Sequence, residues 1–214
     1  MSRSSVRFRQ VAPILNVMHN SLFSETQNSN LVSLPFNKSM IEKARELSTN
    51  LGSINNSILK GGGNEAGYLG ELALQEYLGA DHVSCEHGRA KYNRDLVFKA
   101  KNFEVKTKRR TKDPIDTNYI KYEASINESS MHQTPDYYAF ISVTYGKMYK
   151  ENGFRFYENP LKVWFCGYID IKSFYNKSKF IAKGYIDPTN KNVCKANKRN
   201  IYYKDLINPN LILQ

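Results

Sequence analysis

Charge and composition narrow the classes of protein to which this chain can belong. Its 214 residues hold 31 Lys or Arg against 20 Asp or Glu, a net charge of +11, and such a field attracts polyanions, nucleic acids above all. Aromatic residues make up 13% of the chain, which excludes a disordered basic tail and predicts one globular core. The alternative is that the high Lys and Asn content reflects a general amino-acid bias of the source and not a polyanionic partner.

Cysteine usage and the N-terminal residues bear on the compartment. Cys85, Cys166 and Cys194 are widely spaced and form no CxxC pair, so neither a disulfide framework nor a cysteine zinc site is predicted. The apolar run "VAPILNVM" is interrupted by Pro13 and Asn16, and no signal peptide or membrane span is expected. A reducing cytoplasm is the predicted location.

The first part of the chain predicts helices. Residues 1–36 show no regular period and are expected to form an irregular arm or small subelement, followed by one domain with a C-terminal extension over residues 37–214. The spacing of apolar residues in "KSMIEKARELSTNL" predicts a helix, and "SINNSILK" predicts a second, short one. After three glycines, Asn64 is a suitable N-cap for a helix that closes near Gly79.

Beyond Gly79 the pattern becomes that of strands. Five segments are rich in β-branched and aromatic residues: "RDLVF", "NFEVKTK", "YIKYEASI", "DYYAFISVTY" and "KVWFCGYID". A crossing helix is expected in "IKSFYNKSKFI", and a further strand in "NIYYKDLI". The order of these elements predicts an α/β protein with a sheet in the middle of the chain.

The segments "DLVF" and "FEVK" predict a hairpin with one apolar and one charged face. If Phe98 pairs with Phe103, Asp95 lies opposite Lys106, and side-chain alternation brings Glu104 to the same face as both. The other face is apolar and belongs to the core. The alternative is an ordinary amphipathic hairpin whose charged face is solvated.

Two carboxylates on one face of a hairpin require compensation. At about 4 Å they repel by roughly 4 kcal/mol at an effective dielectric constant near 20, and a divalent cation offsets this. Oxygen ligands favour Mg²⁺ or Mn²⁺ over zinc, so Asp95 and Glu104, with the carbonyl of Val105, form a candidate metal site. Lys106 is placed to orient an attacking water or to stabilise charge on a phosphate.

These residues resemble the signature of a nuclease superfamily. Asp95, a gap of eight residues and then "EVK" at 104–106 are similar to the core of PD-(D/E)xK nucleases, although Arg94 replaces the proline of the motif. The resemblance implies a restriction-endonuclease-like αβββαβ core, with a mixed sheet flanked by helices, and Mg²⁺-dependent DNA hydrolysis. The combination of "GNEAGYLGE", "EVKTK" and "QTPDYY" also resembles small proteins encoded by phages, which would place the chain in the host cytoplasm.

Two further residues match elements of that superfamily. Members commonly carry a Glu on the helix before the Asp strand, and "GYLGE" offers Glu71 beside Gly67 and Gly70, which allow a close approach to the helix. Gln133 in "QTPDY" resembles a Gln that lies beside the site in some branches. The alternatives are a surface acid on an amphipathic helix and a polar turn before a strand.

A basic segment surrounds the motif. Between Lys99 and Lys112 there are seven Lys or Arg and one acid, Glu104. The candidate DNA-binding residues, expected just past the motif strand, are Lys108, Arg109, Arg110 and Lys112. The alternative is a charged edge strand that discourages aggregation.

These expectations define one function and its alternatives. The predicted activity is that of a Mg²⁺-dependent DNA endonuclease, site-specific, homing or junction-resolving, in which catalytic Glu71, Asp95, Glu104, Lys106 and Gln133 serve an in-line attack of water. The expected partner is double-stranded or branched DNA, with a homodimer or higher homo-oligomer as an open possibility. The alternatives are a non-catalytic nucleic-acid-binding protein, an exonuclease and an RNA-processing nuclease on the same fold.

Overall fold

The structure, a computed structural model, describes residues 30–51, 64–82, 94–115, 121–151, 154–188 and 191–214. Most of the expected N-terminal arm and the short helix predicted in "SINNSILK" lie outside these residues.

Three α-helices occur among the described residues. They are α1 (Lys38–Leu51), α2 (Asn64–Leu78) and α3 (Ile171–Lys177). The Asn37 side chain accepts the Met40 N–H at 3.0 Å and so caps α1, while α2 ends one residue before Gly79, as predicted. None of the described helices combines the length and the apolar character that crossing a membrane requires.

The main sheet has six strands in the order β1-β9-β6-β4-β3-β2. Their bounds are β1 (Val32–Leu34), β2 (Asp81–His82), β3 (Leu96–Phe98), β4 (Lys101–Arg110), β6 (Tyr137–Tyr145) and β9 (Pro160–Asp170). Only β4 and β6 run parallel; the other neighbours are antiparallel. The predicted mixed α/β class is confirmed.

Two smaller sheets complete the described structure. One has the order β10-β11-β5, with β5 (Glu123–Asn127), β10 (Lys179–Ile181) and β11 (Lys198–Tyr202). The other is a hairpin of β7 (Met148–Glu151) and β8 (Phe154–Tyr157), which the sequence did not suggest. The strand "YIKYEASI" was predicted, but it joins the small sheet rather than the main one.

The connection between the parallel strands β4 and β6 differs from the implied αβββαβ order. Its described part holds β5 and the 3-10 turn Glu128–Ser130, with no α-helix there. A parallel pair needs a long crossover that leaves the sheet and returns. Here a strand of the small sheet takes the place in which that core has a helix.

Of the arm or subelement expected over residues 1–36, the structure describes residues 30–36. Strand β1 pairs with β9 in the main sheet, and Val32 and Leu34 are buried in the core. An apolar run of only three strand residues is too short to show a period, which is why the sequence read as irregular. Residues 30–36 therefore belong to the domain.

Both faces of the main sheet are covered. One face packs against α1 and α2, and the other packs against the small sheet and α3. Strand β6 is buried from Tyr138 to Tyr145 because it lies in the middle of the sheet. A bulge in β9 opposite Phe140 and Ile141 bends this region, and Gly167 there has a φ of +137° and touches the segment at Leu206.

The glycines of α2 have different surroundings. A Cβ at Gly70 would overlap Thr107 Oγ1 and lie 3.2 Å from Ile141 Cγ2, whereas a Cβ at Gly67 would meet no atom within 4 Å. Both neighbours of Gly70 are β-branched strand residues with restricted χ1 angles. The close contact of α2 with β4 and β6 therefore depends on Gly70.

We expect Gly70→Ala to be less stable than Gly67→Ala by about 1–3 kcal/mol. Each gains about 1 kcal/mol of helix propensity, but Gly70→Ala also carries an overpacking cost of about 1–3 kcal/mol. Urea unfolding of both variants measures the difference. Equal stability of the two would contradict the close packing described.

Candidate active site

The β3–β4 hairpin has a tighter register than predicted. Its turn is Lys99–Ala100, with φ of 48° and 57°, and it pairs Phe98 with Lys101 and Leu96 with Phe103. The predicted pairing of Phe98 with Phe103 is wrong by two residues, because the connection has two residues rather than four. A shift of two residues keeps every side chain on its face, so the predicted apolar face is confirmed.

Asp95 lies beside the start of β3 and is bound to β4. Its N–H donates to the Phe103 carbonyl at 2.8 Å, and its Oδ2 accepts the Val105 N–H at 2.7 Å. The predicted register required Asp95 to lie opposite Lys106, and in the structure it does not. In a strand the N–H and C=O of one residue point to the same edge, so the Val105 carbonyl is directed to the side on which Asp95 lies.

Glu104 and Lys106 form a buried ion pair on the polar face of β4. Glu104 is 4% exposed, and its Oε1 lies 2.6 Å from Lys106 Nζ. The same ammonium group donates to Gln133 Oε1 at 3.1 Å. Within the described residues, Glu104 Oε2 is buried and has no hydrogen-bond partner.

Glu71 reaches the same region from α2. It is 9% exposed, and its carboxylate acts electrostatically on both Asp95 and Glu104. Its neighbour Gly70 permits the helix to approach Thr107 on β4, which brings Glu71 inward, whereas Glu76 on the same helix is exposed. Electrostatic interactions thus link three carboxylates, those of Glu71, Asp95 and Glu104, with the ammonium group of Lys106, and the region around these four residues is here called the recess.

The carboxyl groups of Asp95 and Glu104 are hard to ionise together. Burial, followed by the charges of Glu71 and Glu104, raises the pKa of Asp95 well above its usual range, against the opposing effects of Lys106 and the Val105 N–H. Burial also raises the pKa of Glu104, although the ammonium of Lys106 and the hydrogen bonds from Lys106 and Gln133 act to lower it. The single ammonium group of Lys106 does not balance the negative charge of the neighbouring carboxylates.

The predicted DNA-binding residues do not form one surface. Lys108, Arg109 and Arg110 lie within β4, not past its end, because the strand continues to Arg110. Arg109 stacks over the ring of Tyr157 at 4.4 Å on the helix-covered side, whereas Lys108 and Arg110 point between the two sheets. Lys112 is exposed beyond the strand.

Sequence reasoning missed the residues that position Gln133. Tyr138 Oη donates to the Gln133 carbonyl at 3.4 Å, and Tyr175 Oη donates to the Met131 carbonyl at 3.2 Å. The Gln133 N–H donates to the Ser130 carbonyl at 3.2 Å. A Tyr on a buried strand is typical of core packing. Nothing in the sequence distinguishes a Tyr that only packs from one whose hydroxyl group also donates a hydrogen bond to a turn.

In the part of the chain that the structure describes, no group of three or more His, Cys, Asp or Glu side chains is already arranged as a metal site. A scan against protein-family models and searches of curated proteins and of solved structures each found no match to this chain.

We expect Asp95→Asn to stabilise the protein in the absence of divalent cations, and to do so more at pH 8 than at pH 4. The unfolded pKa of Asp is about 3.9, and the folded pKa is raised. Between the two values the folded state binds more protons, so the stability of the wild type falls as the pH rises through the folded pKa. The amide still accepts the Val105 N–H but carries no charge.

Urea unfolding in EDTA at several pH values measures this effect. The gain should be present at pH 8 and should decline toward zero at acidic pH. Asp81→Asn, which neutralises an exposed carboxylate, is the control and should show no such trend. A gain that does not change with pH would refute the assignment.

Proposed function

We propose that this chain is a metal-dependent nuclease of the PD-(D/E)xK type that hydrolyses phosphodiester bonds in DNA. One observation carries the proposal: the carboxylates of Glu71 on α2, Asp95 beside the start of β3 and Glu104 on β4 interact electrostatically with one another, and Lys106 forms an ion pair with Glu104. Three acids with one ammonium group leave an excess of negative charge, which is unfavourable in a purely structural site. The same combination is suited to binding a cation together with a phosphate.

The donor groups of the recess fit Mg²⁺ or Mn²⁺. All of them are oxygens, namely the carboxylates of Asp95, Glu104 and Glu71 and the carbonyl of Val105, and hard divalent cations bind such ligands. The buried Glu104 Oε2, with no partner among the described residues, is a ligand atom that already lies apart from water. When bound, the cation would supply positive charge that stabilises phosphate oxygens and promotes ionisation of water.

Lys106 has the central part in the proposed reaction. Its ammonium group is held between Glu104 and Gln133, so its direction is set before any substrate binds. In that position it orients the attacking water in line with the leaving oxygen and stabilises negative charge that develops on the phosphate. Asp95 is held by the Val105 N–H, and Glu71 completes the set of acids.

The fold supports the same assignment at a coarser level. The motif strand β4 lies in a mixed sheet, runs parallel to β6 and is covered by a helix that carries the candidate Glu71. We propose that this is a restriction-endonuclease-like core in which β5 replaces the crossover helix. The net charge of +11 favours DNA, double-stranded or branched, as the partner.

We expect purified protein to cleave DNA only with Mg²⁺ or Mn²⁺. Glu104→Gln and Lys106→Met should each reduce cleavage by about 10²-fold or more, because each removes an interaction made with the reacting groups. Cleavage of supercoiled plasmid, linear duplex, four-way junction and RNA, with titrated metal, measures the activity and separates endonuclease, exonuclease and RNA-processing activities.

The matched control uses two acids of the same helix. Glu71→Gln alters the recess, whereas Glu76→Gln alters an exposed side chain and should cleave like wild type. Binding of Mn²⁺, followed by calorimetry, should weaken in Glu71→Gln but not in Glu76→Gln. Salt-sensitive DNA binding without cleavage at any metal concentration would instead favour a non-catalytic binding protein.

A further inference from the structure

A second polar space adjoins the proposed active site. It is a cavity of about 180 Å³ between the main sheet and the small sheet. Lys106 forms part of its wall, so the cavity begins where the recess ends. Its lining also includes the polar residues Thr107, Lys108, Ser125, Asn127 and Tyr203.

Lys108, in the lining of this cavity, and Arg110, on the same strand, are paired with neutral oxygens, whereas Lys106 is paired with Glu104. Lys108 Nζ and Arg110 Nη2 both donate to the carbonyl oxygen of Glu123, at 3.1 Å and 3.2 Å, and Arg110 also donates to Tyr203 Oη at 3.0 Å. Among the described residues, neither forms an ion pair within 4 Å with a carboxylate. Two cations that converge on one carbonyl leave their charge uncompensated.

The electrostatics of Lys108 agree with this arrangement. Burial, the charge of Arg110 and the charge of Lys198 lower its pKa to about 8, and the carboxylate of Glu123 opposes them only weakly. That carboxylate accepts a hydrogen bond from Asn200. The space between the sheets therefore holds an excess of positive charge.

The free edge of β5 adds hydrogen-bond donors. Tyr203 N–H donates to the Tyr122 carbonyl and Glu128 N–H to the Asn197 carbonyl, so the even-numbered residues of this strand face β11. The N–H groups of Ser125 and Asn127 consequently point to the opposite edge, where both residues line the cavity. The Ser125 hydroxyl is buried and has no partner among the described residues.

We infer that this cavity binds a phosphate group of the nucleic acid next to the phosphate that is cleaved. Its volume admits one phosphate with a few waters but no nucleobase pair, and its donors are those that bind phosphate elsewhere: ammonium, backbone N–H and hydroxyl. This inference rests on the proposed function, which makes a nucleic acid the molecule that carries the phosphate. The group is either a terminal phosphate at a strand end or an internal diester.

The first test uses inorganic phosphate in EDTA, without DNA. At ten times its dissociation constant, phosphate should raise the melting temperature of the wild type by about 3–6 °C at constant ionic strength. Lys108→Met should abolish the rise, and Ser125→Ala should reduce it. Lys101→Met, an exposed lysine of the same strand, should keep the full effect and so accounts for general effects of the anion.

The second test identifies the source of the phosphate by measuring DNA binding in EDTA. If a terminal phosphate binds, a duplex with 5′-phosphates should bind about tenfold more tightly than one with 5′-hydroxyls, and Lys108→Met should remove the difference. If an internal diester binds, both duplexes and a closed circle should weaken equally in Lys108→Met.

Stabilisation by phosphate that is equal in wild type and Lys108→Met, together with DNA binding that Lys108→Met leaves unchanged, would overturn the inference. Because neither test requires cleavage, its failure is distinct from failure of the proposed nuclease activity. Urea unfolding of Lys108→Met and Ser125→Ala confirms that each variant is folded before its binding is interpreted.

Discussion

Mutual repulsion among Glu71, Asp95 and Glu104 is the constraint on which the arrangement of this domain depends. Burial strengthens that repulsion, since a low dielectric screens charge poorly, and Lys106 neutralises only part of it. Left to themselves, the acids would turn toward water. They remain together because the backbone around each is fixed by contacts that have nothing to do with charge.

Those contacts come from both faces of the main sheet. On one face, α2 approaches β4 closely at Gly70; on the other, the small sheet covers the polar side of β4 and Tyr138 holds the turn that presents Gln133. Residues Leu96, Phe103 and Val105 anchor the hairpin in the core. The apolar layers thus stabilise an electrostatically unfavourable recess, as is common where proteins act chemically.

Local patterns predicted most helices and strands, and the polar alternation of Glu104 and Lys106, because these depend on neighbouring residues. The hairpin register was not predictable, since Lys99 and Ala100 adopt left-handed φ values that favour Gly or Asn, and no such residue marks the turn. The sequence of β5 resembles that of any half-buried strand. Which sheet it joins is decided by packing against residues 80 positions away, such as Tyr202 and Tyr203.

The parallel pairing of β4 with β6 has a kinetic consequence. These strands cannot pair until the chain between them has passed through the small sheet and returned, and such non-local pairings close slowly. The β3–β4 hairpin, by contrast, needs only a two-residue turn and can bring Asp95 beside β4 early. The contact between Lys106 and Gln133 spans the long connection, so the recess is completed in the same late step that closes the fold.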